Sequence, residues 1–185
     1  MGAGEGLMVT SDDVVLRDFA VEDTKGDGIK SKEADRIVYH NIRVEWTRGP
    51  HPENGAYGIY PVESTHVLVD GVTVIGSSDA GIYVGQSQDI IVRNSLAEFT
   101  VAGLEIENCY RAAVYGNRAR HNTGGILIFD LPSLPQQGGH DIRVFDNSSV
   151  DNDTPNFAPE GNIVGGVPMG TGIMIMANRN VHVFG

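Results

Sequence analysis

Four side chains that can bind or react with a sugar recur at one position of a repeating segment. Each directly follows a Gly-Ile or Gly-Leu pair, and they are Lys30, Tyr60, Tyr83 and Glu105. Asp27 and Asp79 lie just before two of these segments. Tyrosine rings pack on the apolar faces of sugars, and charged groups fix their hydroxyls. The residues therefore predict a binding site for a carbohydrate.

The same residues also allow proton chemistry. Tyr60 or Tyr83 would act as the base, and Lys30 would neutralise a carboxylate of the substrate. A tyrosine with an ordinary pKa near 10 needs help to ionise, which a nearby Lys30 would supply. A third interpretation is an ordinary solvated sheet, because Tyr is common in strands and Lys and Glu keep an exposed sheet soluble.

An internal repeat must position these residues. Its glycines are Gly28, Gly58, Gly81, Gly103, Gly125 and Gly172, with spacings of 30, 23, 22, 22 and 47. The core period is therefore 22 or 23 residues, with a short and a long insertion. Self-similarity at such a period is typical of solenoids and other repeat folds.

Each repeat contains three short alternating runs separated by polar turns. A second run covers 36–41, 89–94 and 141–146, and a third covers 42–45 and 72–75. Three strands at ~3.3 Å per residue leave no room for a helix in one period. The pattern predicts an all-β, right-handed parallel β-helix of about six to seven coils of roughly 22 residues, as a single domain over 1–185.

The period also predicts which side chains face the core. The inward stack is Ile29, Ile59, Ile82, Leu104, Ile126 and Ile173. The residues Lys30 to Glu105 then form an exposed outward stripe about 15 Å long, since stacked coils lie ~4.8 Å apart. Asparagines at the turns, Asn41, Asn94, Asn117 and Asn147, are expected to suit left-handed backbone and to stack as a ladder.

Two insertions interrupt the repeat, near 47–56 and near 130–170. Insertions in solenoids form loops on one face, which is often the binding face, but loops are also simply tolerated. Beyond Glu105 the outward positions become apolar, at Leu127, Phe129, Met174 and Met176. We expect the second insertion to fold over this apolar patch.

Charge and composition exclude several classes of function. The net charge is −11, which argues against nucleic acid and against an anionic membrane as partner. No apolar run approaches a membrane span, so membrane insertion is not expected. The single Cys109 excludes an internal disulfide, and the histidines show no metal-ligand spacing. No cofactor or metal site is predicted, with calcium kept open as a bridge to an anionic glycan.

The termini predict a larger context. The start of the chain, residues 1–6, lacks the basic and apolar regions of a signal peptide. Neither end shows a polar cap, which a solenoid needs because an open coil is an aggregation edge. We therefore expect a piece of a longer protein, or end-to-end self-association. A periplasmic or extracellular location is expected, with the export signal outside this chain.

The repeats resemble the carbohydrate-binding and sugar-hydrolase β-helix superfamily. Nearly the whole chain is similar to the bacterial parallel β-helix repeat proteins, through the segments 23–30, 44–47, 53–62 and 78–87. This resemblance implies a β-helix fold, export and a carbohydrate partner. It does not imply one particular activity.

A more distant resemblance is to periplasmic mannuronan C5-epimerases. That family has Tyr-Gly-x-Asp-Pro-His-Asp followed one coil later by Gly-Ile-Ile-Val-Ser-Arg-Glu. The matching stretches here are 57–63 and 81–87, with Tyr60 at the family's Asp, Val62 at its catalytic His and Gln86 at its Arg. The framework is shared, but the catalytic Asp, His and Arg are replaced, because Val62 is no base and Gln86 carries no charge.

The sequence thus supports three hypotheses. The first is a polysaccharide-binding domain of an exported protein, or a diverged carbohydrate-active enzyme, whose site contains Asp27, Lys30, Tyr60, Asp79, Tyr83, Gln86 and Glu105. The second is a uronate lyase or epimerase with Tyr60, Tyr83 and Lys30 as catalytic candidates. The third is a structural or interaction solenoid.

Overall fold

The chain winds into stacked coils made almost wholly of parallel β-strands. A computed structural model describes residues 4–185, so the first three residues of the predicted domain 1–185 lie outside the described part. The prediction of an all-β, right-handed parallel β-helix is confirmed. Within residues 4–185, no helix has the length and apolar character needed to cross a membrane.

Eighteen strands and a single 3₁₀ turn at Ile163–Gly166 follow one another along the described chain. The strands are β1 (Leu7–Val9), β2 (Val15–Glu22), β3 (Ile29–Lys32), β4 (Asp35–Glu45), β5 (Ile59–Val62), β6 (Thr65–Asp70), β7 (Thr73–Ile75), β8 (Ala80–Gly85), β9 (Gln88–Arg93), β10 (Leu96–Glu98), β11 (Ala102–Glu107), β12 (Tyr110–Tyr115), β13 (Arg118–Arg120), β14 (Gly124–Phe129), β15 (His140–Phe145), β16 (Ser148–Val150), β17 (Thr171–Met176) and β18 (Arg179–Phe184).

Each complete coil contributes one strand to each of three faces. The first face is the sheet β1-β3-β5-β8-β11-β14-β17, so seven coils are present, where six to seven were predicted. The second face runs from β4 through β6, β9, β12 and β15 to β18, and the third contains β7, β10, β13 and β16. The long strand β4 belongs to both of these faces and joins them into one sheet.

The inward stack lies in the predicted register. Ile29 pairs with Ile59, Ile59 with Ile82, Ile82 with Leu104, Leu104 with Ile126 and Ile126 with Ile173. All but one of these side chains are fully buried. Ile173 is 40% exposed, because no described strand follows β17 in the first face.

The repeating glycine has a steric cause at the entry to the first face. A Cβ atom on Gly103 would lie 2.5 Å from the carbonyl oxygen of Gly125 and 2.9 Å from Cβ of Ala119. Carbon atoms do not approach a carbonyl oxygen that closely, so neighbouring coils stack at this corner only when the residue has no side chain. The glycine therefore marks the corner where the chain turns from the third face into the first.

The predicted asparagine ladder divides into two turn positions. Asn41 and Asn94 have left-handed backbone, with φ of 50° and 52°, and their amides bond to aspartates outside the core. Asn117 and Asn147 instead stack inside the turn, where Asn117 Nδ2 donates to Asn147 Oδ1 at 3.0 Å. The prediction of a single ladder of four asparagines was therefore wrong, because consecutive turn residues point to opposite sides of the backbone.

A second buried ladder was not predicted. Asn122 Nδ2 donates to Asn152 Oδ1 at 3.0 Å, and Asn122 Oδ1 accepts from the Thr100 hydroxyl at 2.8 Å. These bonds satisfy buried polar groups that would otherwise destabilise the turn by about 1–3 kcal/mol each. The ladder fixes the corner from which the 151–170 loop departs.

Both predicted insertions are present, and the second consists of two loops. The first insertion spans 46–58, between β4 and β5. The second is divided by β15 and β16 into a loop at 130–139 and a loop at 151–170. The loop at 130–139 follows the first-face strand β14 and the loop at 151–170 precedes the first-face strand β17. Both place apolar side chains against this face, at Leu131 and at Val164 and Val167.

The inward assignment is tested by truncating Leu104, which is fully buried. Leu104→Ala should lower the free energy of unfolding by about 2–5 kcal/mol, through lost burial and a residual cavity. Arg118→Ala, at an exposed position of β13, should change it by no more than about 0.5 kcal/mol. Chemical denaturation of both variants gives the comparison, and equal losses would contradict the register.

Candidate functional site

The structure brings the predicted stripe into one line on the first face. Lys30 is the register partner of Tyr60, and Tyr83 is the partner of Glu105. The pairing of Ile59 with Ile82 places Tyr60 beside Tyr83, and their ring centroids are 5.0 Å apart. Residues separated by up to 75 positions in the sequence are therefore neighbours along the coil axis.

The expected exposure of this stripe is wrong for half of its length. The loop 151–170, here named the cover, packs on the outward side of the first face. Tyr83 is only 5% exposed and Glu105 only 2%. The cover and this face share an apolar cluster made of Ala80, Tyr83, Val101, Ala102, Leu127, Phe129, Val164 and Val167.

The expectation that the second insertion folds over the apolar patch is confirmed for its centre. Leu127 and Phe129 are buried under the cover, and Met174 packs partly against it. Met176 stays 40% exposed, so the cover does not reach this end of the last strand. Instead the cover extends in the opposite direction along the first face, over Tyr83, because tyrosine rings continue the apolar surface there.

Three tyrosines and one lysine form the half-buried end of the stripe. The ring of Tyr57 lies 4.4 Å from that of Tyr60 and 4.7 Å from that of Tyr83, measured between centroids. The ammonium of Lys30 lies 4.4 Å from the centre of the Tyr60 ring, a cation–π distance. Sequence reasoning missed Tyr57, because it lies two residues before strand β5 and outside the alternating pattern.

Four carboxyl groups surround these rings. Glu107 accepts hydrogen bonds from the Tyr83 hydroxyl at 2.6 Å and from Gln86 Nε2 at 3.0 Å. Asp79 accepts one from Asn162 of the cover at 2.9 Å. The third group, Asp27, accepts from the backbone N–H of Tyr57 at 3.2 Å. Glu107, a site residue that the sequence did not single out, thus orients both Tyr83 and Gln86.

Glu105 differs from the other three carboxyl groups. Its Oε2 atom is buried and has no hydrogen-bond partner among the described residues. The expectation of an exposed, easily replaced Glu105 is therefore wrong, although its side chain does point outward from the sheet. Burial by the cover, and not a shift of register, accounts for the difference.

Burial raises the pKa of these carboxyl groups. It raises the pKa of Asp79 to about 7, against a weaker opposing effect of the Asn162 hydrogen bond. The pKa of Glu105 is also raised well above its usual value, first by burial and then by the charges of Asp79 and Glu107. Charge on either group is thus disfavoured while the cover is closed.

The tyrosines are poorly placed to act as bases. Burial, with a smaller contribution from the charges of the nearby carboxyl groups, raises the pKa of Tyr60 to about 12. Burial likewise raises the pKa of Tyr83. Lys30 lies over the Tyr60 ring and does not produce the lowered pKa that the lyase hypothesis requires. These hydroxyls are suited to donate hydrogen bonds.

Metal ligation finds no support in the geometry. Among residues 4–185, no group of three or more His, Cys, Asp or Glu side chains is arranged to hold a metal ion. The four carboxyl groups of the stripe are bonded to tyrosine, glutamine, asparagine and backbone donors, apart from the unpartnered Glu105.

A second candidate site lies on the outer side of the second face. It is an open groove with a volume of about 900 Å³ that runs across strands β6, β9, β12, β15 and β18. Its floor is one outward column, in which Leu68, Ile91, Ala113, Arg143 and His182 are successive register partners. The floor is apolar over three coils and polar at the far end, where Arg143 carries a positive charge.

Two columns of side chains form the walls of this groove. One wall contains residues with left-handed backbone near the start of each strand, among them Asp89, Arg111 and Asp141, with φ of 54°, 57° and 59°. Arg111 Nε donates to Asp89 at 2.7 Å across the coils. The other wall contains Tyr115 stacked on Phe145, with ring centroids 4.8 Å apart.

Sequence reasoning missed this groove, although a signal was present. Leu68, Ile91 and Ala113 recur at spacings of 23 and 22 in the second alternating run. Apolar residues at outward positions of an otherwise polar-out strand indicate a covered or ligand-binding surface. The sequence predicted the site on the first face because the tyrosine, lysine and glutamate side chains there are more reactive than the apolar residues of the groove floor.

The coil register, the three faces and the covered first face define a right-handed β-helix protein. Comparison with protein families agrees, since the family described as right-handed β-helix region matches residues 2–133. The chain belongs to this family. No curated protein and no solved structure matches the chain, so the epimerase likeness stays a resemblance.

Burial under the cover predicts that outward residues of the first face contribute to the free energy of unfolding. Leu127→Ala should lower the free energy of unfolding by about 2–5 kcal/mol, because the outward Leu127 is fully buried under the cover. Met176→Ala, an outward position that the cover leaves exposed, should have a much smaller effect. Thermal or chemical unfolding compares the two, and a small effect of Leu127→Ala would mean that the cover is not seated.

Proposed function

We propose that this β-helix domain binds a polysaccharide, and that the chain lies in the groove of the second face. The observation that carries the proposal is the shape and lining of that groove. It is open, it crosses five successive strands and it combines an apolar floor with polar and aromatic walls. At ~4.8 Å per coil, its floor is about 19 Å long, which suits an extended chain of sugars.

The lining matches what carbohydrate recognition requires. Leu68, Ile91 and Ala113 offer an apolar strip for the C–H faces of sugar rings. Asp89 and Arg111 form a wall of donors and acceptors for hydroxyl groups, already held in place by their mutual hydrogen bonds. Such preorganised polar groups lose little conformational entropy on binding.

The predicted stripe on the first face supports binding less well. Its Tyr83 and Glu105 are buried, so only the end with Asp27, Lys30 and Tyr60 is accessible while the cover is closed. The raised pKa of Tyr60 also speaks against a uronate lyase or epimerase with tyrosine as base. We therefore place the polysaccharide on the second face and assign no catalytic step.

A polysaccharide partner also extends the proposal to location. A protein that binds such polymers encounters them chiefly outside the cytoplasm, which is consistent with the family resemblance. Fractionation of cells that express the complete gene product should find the protein in the periplasm or the medium. Recovery from the cytoplasm alone would contradict this part of the proposal and leave the binding surface untouched.

The binding surface is tested by placing a charge on the groove floor. Ile91 is 38% exposed, so Ile91→Glu should leave the fold intact and weaken glycan binding by about tenfold or more. Val150→Glu is the matched control, since Val150 is also 38% exposed but lies on the third face. A panel of neutral and acidic polysaccharides, followed by titration calorimetry on the best ligand, measures both variants.

Tyr60→Ala separates the groove from the stripe. We expect it to leave affinity unchanged within about twofold, a small free-energy difference. Loss of binding in Tyr60→Ala with normal binding in Ile91→Glu would move the site to the first face. Absence of binding to the whole panel by the folded wild type would reject the polysaccharide proposal and favour an interaction solenoid.

A further inference from the structure

We propose that the cover is a proton-controlled lid over the first face, closed while Asp79 and Glu105 hold protons and loosened when they ionise. This device is independent of the polysaccharide proposal, because it concerns the cover and the first face, whereas the polysaccharide groove lies on the second face. Opening would expose the rings and carboxyl groups that the closed cover hides. The first face would then become a second, conditional binding surface.

The attachment of the cover is mainly apolar. Val164 and Val167 pack on the first face, and Phe157 and Ala158 lie partly buried against the same cluster. Among the described residues, one side-chain hydrogen bond joins the middle of the cover, 156–167, to the first face, from Asn162 to Asp79. The two ends of the cover are tied to the coils, where Thr154 donates to the carbonyl of His121 and the Gly170 N–H donates to that of Thr123. Asn156 instead bonds to carbonyl groups of the cover itself, at Val164 and Val167. The middle of the cover therefore has internal structure and a single polar tie to the first face, so it can move as a unit between its anchored ends.

Closing the cover places two carboxyl groups in a poorly hydrated site. Asp79 is 6% exposed and Glu105 is 2% exposed, with no hydrogen-bond partner for Glu105 Oε2. A buried carboxylate without a partner is strongly disfavoured, whereas a protonated carboxyl is not. Proton retention and closure of the cover therefore favour each other.

Within residues 4–185, no positive charge offsets ionisation at these two groups. Asp79 faces Glu107, Asp27 and Tyr57 from the neighbouring coils and Asn162 from the cover. Glu105 faces Asp79 and Glu107. Of the two lysines on strand β3, Lys30 acts on Asp27 and Lys32 pairs with Glu33 and Glu63. Each ionisation thus adds a negative charge beside others and opposes the next one.

The sign of the pH dependence follows from these neighbours. A carboxyl with a raised pKa in the closed state favours closure fully below its usual pKa near 3.8, and this effect is lost as the pH rises through the closed-state value. For Asp79 that value is about 7. The Asn162 hydrogen bond favours the ionised form, but burial outweighs it. Closure of the cover should therefore weaken by up to about a hundredfold between about pH 5 and about pH 8.

Hydrogen exchange of the cover amides tests the proposal directly. After correction for the intrinsic exchange rate, protection of residues 157–167 in the wild type should fall by up to about a hundredfold from about pH 5 to about pH 8. Strand β12, in the core, is the internal reference and should keep its protection. The double variant Asp79→Asn, Glu105→Gln should retain cover protection at the higher pH, because neither replacement can ionise.

Controls keep the interpretation specific. Asp70→Asn is the matched variant, since Asp70 is paired with Arg93 on the second face and does not contact the cover. Its cover should respond to pH as in the wild type. If the double variant folds poorly, each single variant should reduce the pH dependence in part. Equal cover protection at both pH values in the wild type, or an unchanged pH dependence in the folded variants, would overturn the proposal.

Discussion

The whole structure depends on one constraint, the parallel pairing of each coil with the next. Because the strands of successive coils pair in register, each strand residue lies directly above its counterpart one period earlier. Gly103 shows how strict this is, since a Cβ atom there would lie 2.5 Å from the carbonyl oxygen of Gly125. The same register that stacks Leu104 on Ile82 in the core stacks Glu105 on Tyr83 outside. Core and surface are therefore organised by a single repeat.

The cover changes the environment of the outward residues of the first face from solvent to a buried one. A strand residue that points away from the core is normally solvated, but Leu127 and Glu105 are as buried as core residues. For Leu127 this burial stabilises the fold by the hydrophobic effect. For Glu105 it raises the pKa, because the charged form has neither water nor a partner. One loop thus produces both a second apolar cluster and a group of carboxyls that retain protons.

The two candidate surfaces follow different physical rules. The first face holds reactive groups whose protonation is controlled by burial, so its availability depends on the cover. The second face holds a groove with one wall whose residues are already bonded to each other, as Arg111 is to Asp89. A surface of that kind is preorganised and needs no conformational change to accept an extended ligand. This difference is the reason to assign constitutive binding to the groove and conditional exposure to the first face.

The amino-acid sequence by itself determined the fold class, a count of six to seven coils, the inward stack and the alignment of Lys30, Tyr60, Tyr83 and Glu105. Periodicity suffices for these features, because a parallel solenoid turns sequence spacing directly into distance. Only the tertiary structure decided which outward residues see water, since that depends on where the 151–170 loop folds, and no period describes a loop. It also decided that Asn117 and Asn147 stack inside their turn whereas Asn41 and Asn94 point out, because one residue along the backbone reverses the side chain.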